Sequence, residues 1–217
     1  YIAFISFFKK EAKYIKELEK DLSNASKLGE TVFMIVPYSK PKDDIKLRLK
    51  SKTYVHKHLI KGFKDAVELA KKYDLKVCFE TTPQKFMYLS SVNDCKYVLD
   101  NVSGLGYVLD TANSLTSGED PFLHVEQLKD YISHVHLKDV SLTKPKKIKI
   151  LLHEYTSDGK EMNFARWGTG VVPIKDLYNQ IISNGYQGYF AIEFAPIKSN
   201  DLDSHLEELN KYTSYLD

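Results

Sequence analysis

Four metal-competent side chains stand at or near the ends of short apolar segments: Glu80 closes VCFE, Asp110 closes YVLD, His136 lies in HVHLKD and Glu193 lies in FAIEF. A carboxylate in such a segment is costly to bury without a partner. The same cost at several segments indicates one shared partner, and a divalent cation neutralises several carboxylates at once. Three carboxylates and one imidazole favour Mn²⁺, Mg²⁺ or Co²⁺, with Zn²⁺ also compatible. We therefore expect the four side chains to converge, with ligand atoms about 2.0–2.4 Å from a common ion.

Each of these residues has a structural alternative when it is taken singly. A carboxylate at a strand end often caps the following turn, and Asp110 in DTANS fits that role. A lone His136 is more often a hydrogen-bonded core histidine than a metal ligand. His134 lies two residues earlier and faces the same side of the strand, so the choice between the two histidines stays open.

The segments that must position these residues alternate in type. Strands are predicted over 2–8, 31–37, 75–80, 106–110, 134–139 and 189–194, and helices over about 10–28, 53–73, 121–131 and 173–184. The strands are nearly continuous apolar runs, which is typical of parallel sheets buried on both faces. An α/β fold of this kind is either a doubly wound open sheet or a closed (β/α)₈ TIM barrel. No GxGxxG follows a strand, which argues against a dinucleotide-binding open sheet.

The segment 144–166 interrupts the alternation. KIKILLHEY is followed by TSDGK and then by EMNFARW, with no helical periodicity. A DG pair between runs of strand-forming residues predicts a β-hairpin. We expect this insertion to lie beside the site, because it follows the strand that carries His136.

The composition is that of one ordinary globular domain spanning 1–217. The chain has 217 residues, of which 43% are hydrophobic, and a formal net charge of +2. Basic and acidic residues nearly cancel, so no overall charge favours nucleic acid or a membrane surface as a partner. The two cysteines form no CxxC pair and no segment has the roughly 20 apolar residues of a membrane span, so we expect a reducing, cytoplasmic location. The sequence is compatible with a homo-oligomer and does not determine the oligomeric state.

Five motifs in register resemble the xylose isomerase-like TIM-barrel superfamily: ETTP (80–83), LDTAN (109–113), HVHLKD (134–139), WGTG (167–170) and NGYQGYFAIEF (184–194). That superfamily includes sugar and sugar-phosphate isomerases and epimerases, inosose dehydratases and endonuclease IV-type enzymes. The resemblance covers most of the chain from Thr31 to Phe194. It is specific for the superfamily and much less so for a substrate.

The resemblance implies both a metal site and a mechanism. In that family the matching Glu, Asp, His and Glu hold one divalent ion, and the two glutamates, here Glu80 and Glu193, are the acid–base pair. The implied reaction is isomerisation or epimerisation of a small sugar or sugar phosphate through an enediolate. Substrate-binding roles are predicted for Asn113, Lys138, Arg166 and Trp167.

The sequence departs from the family pattern in three respects. Asn113 stands where many members have a histidine, which counts against the endonuclease IV-like branch. No arginine closely follows His136, although Arg166 could replace it. IAFISFF matches the family's third strand, so the predicted barrel lacks its first two βα units in this chain. An inosose-type dehydratase and a non-catalytic, ligand-binding barrel remnant are the alternative functions.

Overall fold

Strands and helices alternate along the chain in the computed structural model, which describes residues 1–38, 46–81, 87–143, 154–193 and 202–216. The strands are β1 (Ile2–Ile5), β2 (Val32–Pro37), β3 (Lys76–Glu80), β4 (Gly106–Asp110), β5 (Ile132–Thr143), β6 (Glu154–Tyr155), β7 (Glu161–Ala165) and β8 (Phe190–Glu193). The α-helices are α1 (Glu11–Lys27), α2 (Lys52–Ala70), α3 (Val92–Asp100), α4 (Pro121–Leu128), α5 (Ile174–Ser183) and α6 (Leu202–Leu216). The alternation predicted from the sequence is confirmed.

Several bounds differ from the sequence prediction. Strand β1 ends at Ile5, whereas the prediction extended it to Phe8. Strand β5 continues to Thr143, beyond the predicted Asp139, because its second half pairs with β7. Helices α3 and α6 were not assigned from the sequence.

The described residues divide into two compact units. The first comprises Tyr1–Val108 with Asp130–Ser133, and the second comprises Leu109–Lys129 with His134–Asp217. The prediction of a single domain over 1–217 stays a prediction. Among the described helices, none is both long and apolar enough to cross a lipid bilayer.

The first unit is built on parallel strands in the order β1–β2–β3–β4. The β3–β4 register places Glu80, the last residue of β3, opposite Val108. Helix α1 buries Leu18, Leu22 and Ala25 at helical spacing on one face. Gly29 then ends the helix with a positive φ of 74°. In this Schellman arrangement the Glu30 amide donates to the Ala25 carbonyl.

The second unit contains the order β4–β5–β7–β6, with β8 also paired to β5. Strand β8 runs parallel to the first half of β5, and β7 runs antiparallel to the second half. Strands β6 and β7 are joined by a tight turn in which Gly159 has a φ of 83°. The predicted hairpin is therefore confirmed over 154–165, with its turn at the DG pair. The rest of the predicted segment, 144–153, lies outside the described residues.

A close contact between helix α2 and an aromatic cluster makes one glycine of the first unit necessary. The Phe7 ring packs edge-on against Tyr14 and Phe63, with ring centroids 5.6 and 5.1 Å away. Gly62 lies beneath it in the middle of α2, and a Cβ added there would come 2.2 Å from the Phe7 ring. The intrinsic helix propensity of alanine is about 1 kcal/mol better than that of glycine. The contact with Phe7 opposes that gain.

We expect Gly62→Ala to lower the free energy of unfolding by about 1–3 kcal/mol, because overpacking at a buried ring outweighs the gain in helix propensity. Urea denaturation followed by circular dichroism measures the change. Phe7→Leu/Gly62→Ala is the matched double variant and should lose less than the sum of the two single variants. A Gly62→Ala protein more stable than the wild type would show that the Phe7 contact does not constrain α2.

Candidate metal centre

Asp110 is the last residue of β4, and its side chain is almost fully buried, at 1% exposure. One carboxylate oxygen, Oδ1, accepts hydrogen bonds from the amides of Ala112 and Asn113 at 2.8 and 2.9 Å. The capping role that the sequence offered as an alternative is therefore real. It uses only Oδ1. The other oxygen, Oδ2, lies 3.6 Å from the Lys138 ammonium.

Lys138 is the buried cation of this cluster. The residue is only 4% exposed, although lysine is among the residues least often buried. The ammonium donates to Asn113 Oδ1 at 3.1 Å in addition to its contact with Asp110. Asp110, Asn113 and Lys138 thus contact one another in a closed set. The Asn113 backbone amide donates to Asp110, and the Asn113 side-chain oxygen accepts from Lys138.

Thr111 ties the end of β4 to β5 next to this set of contacts. Its hydroxyl donates to the Lys138 carbonyl at 2.9 Å and accepts from the Lys138 amide at 2.8 Å. Its own amide donates to the His136 carbonyl at 3.1 Å. A single buried threonine therefore fixes the backbone on which both His136 and Lys138 stand.

His136 and Glu193 meet across the pair formed by β5 and β8. The parallel register places Lys138 opposite Glu193, and His136 lies two residues earlier on the same face of β5. His136 Nδ1 is 3.0 Å from Glu193 Oε1, a hydrogen-bonding distance. The His134 ring stands edge-on to His136, with centroids 5.1 Å apart. Of the two histidines that the sequence left open, His136 is the one that contacts a predicted acidic ligand.

The electrostatics of this cluster keep the Glu193 carboxyl ionised. Burial raises its pKa, but the hydrogen bond from His136 and the positive charge of Lys138 act in the opposite direction. The net result is a pKa below the ordinary value for glutamate. For His134, burial and the neighbouring His136 both lower the pKa, which favours a neutral ring.

Asp110, His136 and Glu193 each offer a ligand atom, and these atoms lie within 4.8 Å of one another. Asp110 and Glu193 carry two negative charges and Lys138 one positive charge, so the three together carry a net charge of −1. This donor set, two carboxylates and an imidazole, suits a divalent cation of the Mn²⁺, Mg²⁺, Co²⁺ or Zn²⁺ type. The group can therefore hold a metal ion. Glu80, the fourth predicted ligand, belongs to the first unit, and its role in the centre stays a prediction.

Two predicted substrate-binding residues lie in the turn that follows β7. The side chain of Arg166 is exposed, whereas Trp167 is 3% exposed. The Trp167 indole packs edge-on against Tyr212 of α6, with ring centroids 5.0 Å apart. The substrate-binding roles of Arg166 and Trp167 stay predictions.

Sequence reasoning missed Thr111 and Asp139. The signal for Thr111 was weak, because a threonine after a strand is common. Asp139 stood in the quoted HVHLKD motif, but strand alternation turns it away from Lys138 and so away from the predicted ligands. Its carboxylate instead accepts backbone hydrogen bonds from the turn after β7, and 29–33 residues separate Asp139 from those donors.

We expect Asp110→Asn to weaken Mn²⁺ binding by about tenfold or more, because the amide keeps the capping oxygen but loses the charge that attracts the ion. Isothermal titration with Mn²⁺ measures the dissociation constant. Asp120→Asn is the matched control. Asp120 is also an aspartate that accepts a backbone hydrogen bond, from Phe122 at the start of α4. Equal affinities in the wild type and Asp110→Asn would remove Asp110 from the centre.

Comparison with known proteins assigns this chain to a family. A sequence profile of the xylose isomerase-like TIM barrel matches residues 6–212. The inosose dehydratase of Lactiplantibacillus plantarum is 24% identical over 204 residues, which is 90% of this chain and 65% of that protein. The chain spans less than two thirds of the length of such curated relatives.

Solved structures show the same fold at low sequence identity. The IOLI protein with a bound zinc atom superposes with a TM-score of 0.70 at 17% identity, covering 99% of this chain and 75% of that one. The 3-keto-D-glucoside 4-epimerase YcjR of E. coli superposes with a TM-score of 0.66 at 14% identity, covering 98% of this chain and 78% of that one. Since the profile match extends over nearly the whole sequence, the chain belongs to the xylose isomerase-like TIM barrel family.

Proposed function

We propose that this protein is a divalent-metal-dependent isomerase or epimerase of a small sugar or sugar phosphate. The observation that carries the proposal is that buried Asp110 and His136 meet half-buried Glu193 beside the buried Lys138 ammonium. Such a concentration of buried ionisable groups has a high cost in folding free energy unless it serves binding or catalysis. The reaction moves a proton at a carbon next to a carbonyl group, through an enediolate.

Asp110, His136 and Glu193 would hold the ion, together with Glu80 as predicted from the sequence. A bound divalent ion supplies Lewis-acid stabilisation of the negative charge that develops on the substrate oxygens. With Glu80 included, three carboxylates and Lys138 would carry a net charge of −2, which a doubly charged ion would neutralise.

Proton transfer would fall to Glu193 and Glu80. Glu193 is half-buried, so one part of its carboxylate contacts His136 while the side chain remains accessible to a ligand. Its low pKa keeps it in the basic form, ready to accept a proton from carbon. Glu80, at the carboxyl end of β3, is the proposed second member of the pair on sequence grounds.

Lys138 and Asn113 are proposed to bind substrate oxygens. The Lys138 ammonium contacts Asp110 and Asn113. Its positive charge would stabilise the negative charge of an enediolate oxygen bound beside it. Arg166 and Trp167 are proposed as outer contacts of the substrate.

Dehydration is the second candidate function, and the similarity to inosose dehydratases favours it. A dehydratase would use the same first step, proton removal next to a carbonyl, and would then expel a β-hydroxyl as water. The two functions differ in their products. Incubation of the Mn²⁺-loaded protein with inosose and with a panel of ketoses, followed by chromatography and mass spectrometry, distinguishes loss of water from a new chromatographic peak of unchanged mass.

We expect Glu193→Gln to lower the rate of proton exchange into a ketose substrate by at least about 100-fold, the usual contribution of a general acid–base group. The glutamine keeps the size and one ligand oxygen but cannot accept a proton. The rate is measured by NMR in deuterated water at saturating Mn²⁺. Glu80→Gln should behave in the same way if the two glutamates share the proton transfer.

Glu126→Gln is the matched control, because Glu126 is exposed on α4. It should exchange protons at the wild-type rate. Exchange at the wild-type rate in both Glu193→Gln and Glu80→Gln would rule out the two-glutamate mechanism, and the chain would then be better described as a ligand-binding barrel.

A further inference from the structure

The carboxylate of Asp139 is fully buried and surrounded by backbone amides. Oδ1 accepts from Val140 at 2.8 Å and Val172 at 3.0 Å. Oδ2 accepts from Gly168 at 3.1 Å and Gly170 at 2.9 Å. Four backbone donors on one carboxylate are a strong anchor, because hydrogen bonds to a charged acceptor are about twice as strong as neutral ones. Asp139 therefore holds the turn 168–172 against β5.

Asp139 stands where β5 changes its pairing partner. Up to Lys138 the strand pairs with β8 in parallel, and from Asp139 onward it pairs with β7 in antiparallel fashion. We call the Asp139 carboxylate and its four backbone hydrogen bonds the Asp139 clamp. Because the turn that it holds follows β7, the clamp fastens β7 to β5 where β5 changes its pairing partner.

The fit of the clamp is tight. A Cβ added to Gly170 would lie 2.1 Å from Asp139 Oδ1 and 2.5 Å from the Val140 carbonyl. The glycine at this position is therefore needed for the turn to approach the carboxylate. Trp167, just before this turn, packs edge-on against Tyr212 of α6.

Neighbouring residues on a strand point to opposite faces, so Asp139 and Lys138 are anchored on opposite sides of one backbone. We propose that Asp139 is a positioning residue for Lys138. By fixing the β5 backbone at the change of partner, its carboxylate keeps the Lys138 ammonium between Asp110 and Asn113. The ammonium also lies 5.3 Å from the centre of the Phe164 ring of β7, the strand that the clamp fastens.

The position of Lys138 has a consequence for the metal centre, and this step rests on the proposed function. An ammonium 3.6 Å from Asp110 Oδ2 competes with a metal ion for that oxygen, and its positive charge repels the ion. If Asp139→Asn frees Lys138 to move away, Mn²⁺ binding becomes tighter. Direct electrostatics predicts the opposite sign, because removing a nearby negative charge weakens the binding of a cation. The sign of the change therefore separates positioning from a direct charge effect.

The experiment measures Mn²⁺ dissociation constants by electron paramagnetic resonance for the wild type, Asp139→Asn, Lys138→Met and the double variant. We expect Lys138→Met and Asp139→Asn each to bind Mn²⁺ about three- to tenfold more tightly than the wild type. The double variant should match Lys138→Met, because Asp139 acts through a lysine that is no longer present. Asp120→Asn is the control, because Asp120 accepts a backbone hydrogen bond from Phe122. It should bind Mn²⁺ with the wild-type dissociation constant.

A second readout does not depend on the metal. In protein with ¹³C-labelled lysine, the Phe164 ring current should shift the Lys138 side-chain signals away from those of the exposed lysines. We expect Asp139→Asn to collapse that shift and to speed hydrogen exchange at the Gly168 and Gly170 amides by about tenfold or more. If Asp139→Asn does not fold, Gly170→Ala presses on the same carboxylate and should change Mn²⁺ affinity in the same direction.

Weaker or unchanged Mn²⁺ binding in Asp139→Asn, with the Lys138 signals still shifted, would overturn the positioning role. A wild-type protein that binds no Mn²⁺ would instead overturn the proposed metal centre. In that case the Lys138 signals alone decide the positioning role, which stands if they collapse in Asp139→Asn and fails if they do not.

Discussion

The contact between two buried opposite charges, Asp110 and Lys138, is the constraint on which the second unit depends. Either charge alone would be costly at this depth, and removing one partner would leave the other uncompensated. The pair is stable because each group has further partners. Asp110 accepts hydrogen bonds from two backbone amides, and the Lys138 ammonium donates a hydrogen bond to the Asn113 side chain. The turn after β4 must therefore take the one conformation that presents Asn113 to both.

The same pair explains how the structure around it is arranged. Thr111 bonds both the amide and the carbonyl of Lys138, so the strand carrying the lysine cannot slide relative to β4. The register with β8 then sets Glu193 beside His136. A closed set of contacts of this kind orients the acidic groups before any ligand arrives. Catalytic groups that are already oriented need little reorganisation in the transition state, which is the main source of electrostatic catalysis.

The charge balance connects this arrangement to function. An internal cation, Lys138, partly neutralises the carboxylates when no metal ion is bound, and so lowers the cost of bringing them together. Asp110, His136 and Glu193 would hold a divalent ion near Lys138. Such an ion would stabilise negative charge on the substrate oxygens, which suits an isomerase and a dehydratase equally. The choice between these two lies in what happens after the first proton is removed.

Much of the fold could be predicted because it depends on local patterns. The apolar runs ending at Glu80 and Asp110 fixed the ends of β3 and β4, and the DG pair located the turn between β6 and β7. Helix α3 was missed although a local signal exists, since the Ser91 side chain caps the helix by accepting from the Asp94 amide.

The candidate residues on β4, β5 and β8 were also found from the sequence, because each interrupts an apolar strand with a charge or an imidazole. Two kinds of feature could not be predicted from the sequence. The length of β5 depends on its pairing with β7, and the clamp on Asp139 depends on amides about 30 residues further along the chain. Such contacts follow from tertiary structure, and no pattern within a single segment encodes them.

The most direct test of the metal centre is a crystal structure of the protein soaked in Mn²⁺, with data collected to show anomalous scattering from manganese. We expect one strong anomalous peak with oxygen atoms of Asp110 and Glu193 and a nitrogen of His136 about 2.0–2.4 Å away. Manganese bound only elsewhere, with Lys138 and His136 still in their present contacts with Asp110 and Glu193, would contradict it.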